Sequence, residues 1–467
     1  MNVVLYVMND LSHDARVIRE ARSLAAAGHH VTAMATTSGP DQSSGIRESR
    51  DGFEVIHVAV PRRWPLWYVW LKHPWRIGRR AVDELRGIRR RPDRLPQVLG
   101  VAALAVVSIP WMAIRAGWDG ISRLVLRRPT GPGPLDYILR WRAFHLAWAR
   151  AAVALAPPAD VHHANDMDTL PAALAAARRD GGRVVYDSHE IYLESGIHAR
   201  QPRWLRWVMA RWERSMVART VALVTINQVC ATELGRRLRP RRTVVVHNCP
   251  PRWTPPTPPA DLIRRATGIP AEAPIVLCHG GFRANRGLEE TAAAMTEPGL
   301  ERAHLVFLGY GGSVLEPIVA GFADPGRIHL LPAVPPDDVL AWVAGADVDV
   351  MVLLPVELNH IVSTPNKLFE SIAAGVPVVS SDFQARRSII IGDPDGPLGA
   401  VCAPDDPVAI AAALRSILDL DAAGRADLRR RCLAAAHDRW NWETESSRLV
   451  ELYASLEGDA SGSPASV

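Results

Sequence analysis

In the stretch STPNKLFESIAAGVPVV, Lys367 stands three residues before Glu370. The chain writes almost all of its positive charge as arginine: of 54 Lys and Arg residues, only Lys72 and Lys367 are lysines. A GC-rich genome alone would leave few lysines. Lysine, however, is a compact point charge where arginine is a planar fork, so the two differ where a phosphate is met in a tight space. Thr364 suits an N-cap and Pro365 the first helical position, so the spacing predicts a helix running from there to a glycine stop at Gly375. The free N–H groups and positive dipole end of such a helix bind phosphate, and Lys367 in the first turn adds a full charge. Glu370, one turn along the same face, would accept hydrogen bonds from neutral hydroxyls such as those of a ribose.

Other residues invite a metal reading. Asp166 and Asp168 in DMD match an Asp-x-Asp signature, and His162, His163, His189 and Glu190 can be grouped as ligands. A three-residue pattern recurs by chance, and strand-end histidines facing a cleft more often hydrogen-bond than ligate. No metal or other cofactor is expected. Five scattered cysteines, Cys230, Cys249, Cys278, Cys402 and Cys432, lack paired spacing and point to a reducing interior. The opening MNVVLYVMND has neither a basic leader nor a cleavage site, so no export signal is read there.

The elements that must position these residues alternate. MNVVLYVMND reads as a strand, ARVIREARSLAAAGHHVTAMATT as helix, glycine stop and strand, and the pattern returns through DVHHAND, TLPAALAAARRDGGRVVYDSHE, VALVTI and TVVVHN. The proline-dense NCPPRWTPPTPP can continue neither helix nor central strand, and a second alternating run follows it. The expectation is two α/β lobes with parallel, doubly wound sheets, 1–250 and 260–435, facing each other across a cleft. A helix over 436–457 would close back on the first lobe, and 458–467 would be a frayed tail.

Alternation fails between Pro61 and Arg150. Eight of 15 tryptophans lie there (Trp64, Trp67, Trp70, Trp75, Trp111, Trp118, Trp141, Trp148), with an apolar run from Val98 to Ile114 interrupted by Pro110. Between Arg62 and Arg94 there are 11 Arg or Lys against three acids, in a chain whose net charge is only +5. Arginine with interfacial aromatics suits the headgroup layer of an anionic membrane. A helical insertion packed on the first lobe is the alternative. The run is short for a span, so the expectation is a cytoplasmic protein associated peripherally with the inner face of the membrane, with no nucleic-acid partner.

The segments DARVIREARSLAAAGHHV, DVHHANDMDTLPAALAAAR, VVYDSHE, CHGGFRANRGLEE and PNKLFESIAAGVPVV, in that order, resemble the retaining, nucleotide-sugar-dependent glycosyltransferases of family 4 type. These have the GT-B fold of two facing Rossmann-like lobes. The resemblance implies that Glu370 holds the nucleotide ribose and that Gly280 and Gly281 let the backbone approach the donor. It also implies that Arg286, Arg283 and Lys367 meet the diphosphate as it leaves. Stabilising the charge that develops on the β-phosphate needs no metal. Two positions depart from the family. Its second glutamate, eight residues before the helix glutamate, is here Val362, leaving Glu357, Asn359 or His360 to contact the donor sugar. The family's His-x-His is here His163, Ala164 and Asn165, so His163 or Asp166 would touch the acceptor or the reacting centre. Asn165, His189 and Glu190 would line the acceptor side.

A dinucleotide-dependent oxidoreductase would need a Gly-x-Gly-x-x-Gly turn after the first strand, and YVMNDLSHDAR has no glycine. A nucleotide-sugar epimerase of the same fold would not need the Trp/Arg-rich insertion. A catalytically inert membrane-associated scaffold would gain nothing from the Lys367, Glu370 and Arg286 set. The reading is a glycosyltransferase that takes a nucleotide-diphosphate sugar and a glycan or lipid-linked envelope acceptor.

Overall fold

The computed structural model describes residues 1–12, 14–37, 44–60, 133–257 and 260–461, with six isolated positions between 103 and 114. The first lobe is built on strands β1 (Asn2–Tyr6), β2 (His30–Thr36), β3 (Ile46–Arg50), β4 (Phe53–Val58), β5 (Val161–Asn165), β6 (Arg183–Ser188), β7 (Ala222–Thr225) and β8 (Thr243–Val245). They form one sheet in the order β3-β4-β2-β1-β5-β6-β7-β8, parallel except for β3 against β4. The second lobe carries β9 (Ile275–Gly281), β10 (His304–Tyr310), β11 (Ile328–Pro332), β12 (Val348–Met351), β13 (Val378–Ser381) and β14 (Gly399–Cys402). These run in the order β11-β10-β9-β12-β13-β14, all parallel.

Apolar runs such as NVVLY and VDVM form central strands because helices cover both sheet faces, so alternation gives way to continuous burial. The strand order reverses between β1 and β5 in one sheet and between β9 and β12 in the other. In an open α/β sheet a ligand crevice lies beyond the carboxyl ends at such a switch point.

The first lobe has a core on each face of its sheet. One contains Tyr137, Trp141 and Trp148; the other contains Trp442, Leu449, Leu452 and Tyr453 from the last helix, Trp442–Ser461. That helix packs on the first sheet and is helical to Ser461, past the start of the tail expected to be frayed. Most of the 61–150 insertion lies outside the described residues. Its end is core: Pro134–Arg140, a π turn at Trp141–His145 and Leu146–Leu155 make a helical segment whose Trp141 and Trp148 are buried. Those two tryptophans, seven residues apart on one helical face, are hydrophobic filling rather than a membrane-facing pair. Among the described residues no helix is long and apolar enough to cross a membrane.

Candidate active site

At the second lobe's switch point, β9 ends in Gly280 and Gly281. Gly280 has φ +102, a conformation closed to most side chains, and a Cβ on Gly281 would lie 2.9 Å from the Tyr310 ring. The backbone is therefore bare at the strand's end, where Phe282 N–H donates to the Tyr310 carbonyl (2.8 Å). The turn that follows presents Arg283 in solvent and Arg286 half-buried. Burial, then the neighbouring Arg283 charge, lowers the Arg286 pKa. Among the described residues neither Arg286 nor Lys367 makes an ion pair, and the Glu190 and Glu357 carboxylates that favour the Arg286 charge act from beyond contact distance.

Lys367 lies in the first turn of the helix Asn366–Ala373, whose N-cap is Pro365 rather than Thr364. Thr364 is instead buried against the first lobe, its hydroxyl accepting from Asn227 Nδ2 (3.2 Å). Glu370 faces the cleft and is held from behind. Its Oε2 lies 3.1 Å from His279 Nε2, His279 Nδ1 lies 3.1 Å from Asp349 Oδ1, and Ser371 Oγ donates to Asp349 Oδ2 (2.9 Å). Burial opposes charge on His279, but the Asp349 and Glu370 carboxylates outweigh it and hold the imidazole up to about 9. His279 and Asp349 escaped the sequence reading, which saw only the glycines in CHGGF. The available signal was the single acid in the apolar strand VDVM, since a buried carboxylate demands a partner.

In the first lobe, β5 is buried along its whole length. Successive side chains point to opposite faces, so His162 meets Tyr6 Oη (3.0 Å) on one side and His163 meets Tyr453 Oη (2.8 Å) on the other. His163 is fully buried and cannot touch an acceptor, which corrects its assignment as catalytic. Asn165 is corrected as well, being buried and donating to the Tyr6 carbonyl (3.2 Å). The cleft begins at Asp166, whose left-handed backbone (φ +63) turns the chain out of the strand. Asp166 Oδ1 accepts from His189 N–H (3.1 Å).

The His189 ring sits 3.5 Å from Asp166 Oδ2 and 3.4 Å from Asp187 Oδ2. Burial works against its charge, yet the two carboxylates raise its pKa to about 10. Behind it, Arg16 grips Asp187 with two nitrogens at 3.0 and 2.9 Å and lies 3.0 Å from Glu20. Glu20, His163 and Asp187 have metal-ligand spacing, but the positive charge among them is the Arg16 guanidinium. Burial raises Asp168 to about 8, helped by Asp166, and raises Glu190 to about 7.

Residues 273–420 match the family model for glycosyl transferases group 1, and residues 113–249 match that for glycosyltransferase family 4, together more than half of the chain. This chain is a glycosyltransferase of that family. Solved structures agree on the fold. The sucrose-phosphate synthase of Thermosynechococcus elongatus superposes with a TM-score of 0.66 at 15% identity, over 98% of this chain and 100% of the other. A UDP-forming trehalose-phosphate synthase from Burkholderia xenovorans gives 0.64 at 13% identity, over 98% and 100%. Anabaena HepE, solved in complex with UDP and glucose, gives 0.61 at 13% identity, over 97% and 100%. No curated protein matches the sequence. The two lobes are those of the GT-B fold.

In this glycosyltransferase the lobes are clasped beside the cleft. Asn359 uses both ends of its amide on one residue, accepting from Ile191 N–H (2.9 Å) and donating to the Ile191 carbonyl (3.1 Å). That corrects its place among donor-sugar contacts. Glu357 accepts from Gly196 N–H (3.3 Å), His360 Nδ1 turns to the Leu354 carbonyl (2.9 Å), and Asn227 Nδ2 donates to the Val362 carbonyl (2.9 Å). The segment from Glu357 to Val362 thus holds the two lobes together. The cleft is left with Arg283, Arg286, Lys367 and Glu370 on one wall, and Asp166, His189 and Glu190 on the other.

Proposed function

We propose that this glycosyltransferase takes a nucleotide-diphosphate sugar in its second lobe, with Lys367, Arg286 and Arg283 on the diphosphate and Glu370 on the ribose. The reading rests on one observation above the others. Arg286 and Lys367 are partly buried cations without an ion-pair partner among the described residues, set beside a bare glycine backbone at a switch point. A cation held partly out of bulk water without an ion pair gains strongly from an arriving anion. The HepE structures contain UDP or UDP-glucose, which supports testing uridine nucleotides first.

In the transfer, the bond from the anomeric carbon to the β-phosphate oxygen breaks and a bond to an acceptor hydroxyl oxygen forms. Negative charge gathers on the β-phosphate, where the preorganised cations lower its energy. With retention of configuration, as the family resemblance implies, acceptor and leaving group share one face. The departing phosphate oxygen is then the base nearest the acceptor proton and takes it. Asp166, His189 and Glu190 form the acceptor wall. The acceptor is a glycan or lipid-linked envelope precursor, presented at the inner face of the membrane, a reading supported by the excess of basic residues between Arg62 and Arg94. No step needs a metal.

Thermal stabilisation by UDP, GDP, dTDP, ADP and CDP, each with and without magnesium, tests the donor site. A metal-independent rise with one nucleotide that disappears in Lys367→Ala is expected. No rise with any nucleotide would sink the reading.

A further inference from the structure

The helix Arg203–Val217 has an apolar stripe on each side. Leu205, Met209, Met216 and Val217 face the first lobe's core. Trp204, Trp207 and Val208 point outward and are 55, 62 and 46% exposed. With Arg211 they follow the i, i+3, i+4, i+7 spacing of a single helical face. Arg203, Arg211, Arg214 and Arg219 are exposed around them, and the Arg211 guanidinium lies 5.1 Å over the Trp207 ring. The helix's one carboxylate, Glu213, is buried and accepts from Tyr186 Oη (2.9 Å), so the outer face carries no acid. The adjoining helix Pro134–Arg140 exposes Leu135 and Ile138. Tyr137 Oη of that helix lies 2.8 Å from His198 Nδ1, five residues before Arg203, and Trp141, just past its end, packs edge-on to Trp212.

We propose that this outer face of Arg203–Val217 docks on an anionic lipid bilayer. Two tryptophans flanked by arginines, with no carboxylate, match the headgroup depth, where the rings enter the acyl boundary and the guanidiniums meet lipid phosphate. A second copy of the chain would set the same four arginines against each other. Position also favours a membrane. Residues 189–201 lead from His189 and Glu190 on the acceptor wall to the start of this helix. A docked protein would therefore receive a bilayer-borne acceptor at the cleft edge without drawing it far into water. The proposal rests on the membrane-borne acceptor reading above and gives it a surface different from the basic segment between Arg62 and Arg94.

The test is sedimentation of the full chain with vesicles of phosphatidylcholine alone or mixed with phosphatidylglycerol, for wild type, Trp204→Ala/Trp207→Ala and Arg211→Glu/Arg214→Glu. Donor hydrolysis in solution, expected unchanged, shows that both variants are folded. Wild type should bind only the mixed vesicles, less so at high salt, and each variant should bind roughly tenfold or more weakly. Equal binding by wild type and both variants would overturn this surface while leaving membrane association standing. No binding by wild type would overturn both. Capture by a single-stranded oligonucleotide through the same residues, without vesicle binding, would also overturn it.

Discussion

His279 offers the sharpest test of the donor site, because its charge is a product of the fold. Its side chain is 3% exposed and lies between Asp349 and Glu370, each at 3.1 Å. Raising its pKa from 6.5 to about 9 corresponds to roughly 3 kcal/mol of preference for the imidazolium in the folded state. Because the folded value lies above the unfolded one, this stabilisation is complete below about pH 6.5 and is lost as pH rises through about 9. Urea denaturation of wild type and His279→Gln between about pH 6 and pH 10 reads it directly. The stability gap should be roughly 3 kcal/mol larger at the acid end than at the alkaline end. Lost packing adds a constant, so the pH dependence of the gap is the diagnostic. Titration against the stabilising nucleotide should also show weakened binding, since Glu370 loses the group that orients it. A gap that stays constant over the whole range would refute the charged His279.

Lys367→Ala and Arg286→Ala should each lower kcat/KM for the donor by roughly a hundredfold. Neither substitution should lower the urea midpoint, as neither side chain makes an ion pair among the described residues and burial disfavours the Arg286 charge. Glu190 binds its proton more tightly in the folded state, so it costs stability as pH rises from 4.5 through about 7. Glu190→Gln should thus be roughly 1–2 kcal/mol more stable than wild type at pH 8, allowing for partial exposure, and no different at pH 4. Asn359→Ala leaves the Ile191 N–H and carbonyl without their partner and should cost roughly 1–3 kcal/mol, measured by denaturation. Treatment with EDTA should leave turnover unaltered.

The alternation of strands and helices was legible because it is a local pattern. What failed was direction and partnership. His163 was expected at a strand end facing the cleft, but it is the middle residue of β5. That strand is central in a sheet covered on both faces, so neither His162 nor His163 is free, whichever way the register falls. Asn359 was read as a donor-sugar contact because it stands close to Val362, where the family resemblance implies a second glutamate. Its amide is spent on Ile191, 168 residues earlier, a pairing that no local spacing encodes. Trp141 and Trp148 were read with a Trp/Arg-rich neighbourhood, whereas their seven-residue spacing was the sign of a core face. The exposed tryptophans lay in RWLRWVMARWERSMV, where the buried and outward stripes interleave and composition alone does not separate them.

The two walls of the cleft divide the electrostatic work. On the donor side the cations make no ion pair among the described residues, and His279 is turned inward to brace a carboxylate. On the acceptor side Asp166 and Asp187 hold His189 positive, while burial pushes Asp168 and Glu190 towards neutrality. An anionic diphosphate therefore gains most on the donor wall. The acceptor wall, with its charges internally balanced, offers hydrogen bonds rather than net charge to an incoming hydroxyl. Swapping the two substrates would place the diphosphate beside the ionised Asp187 and leave Arg286 and Lys367 without an ion-pair partner. In the proposed reading, charge thus sets which lobe takes the donor before any contact with the sugar is made.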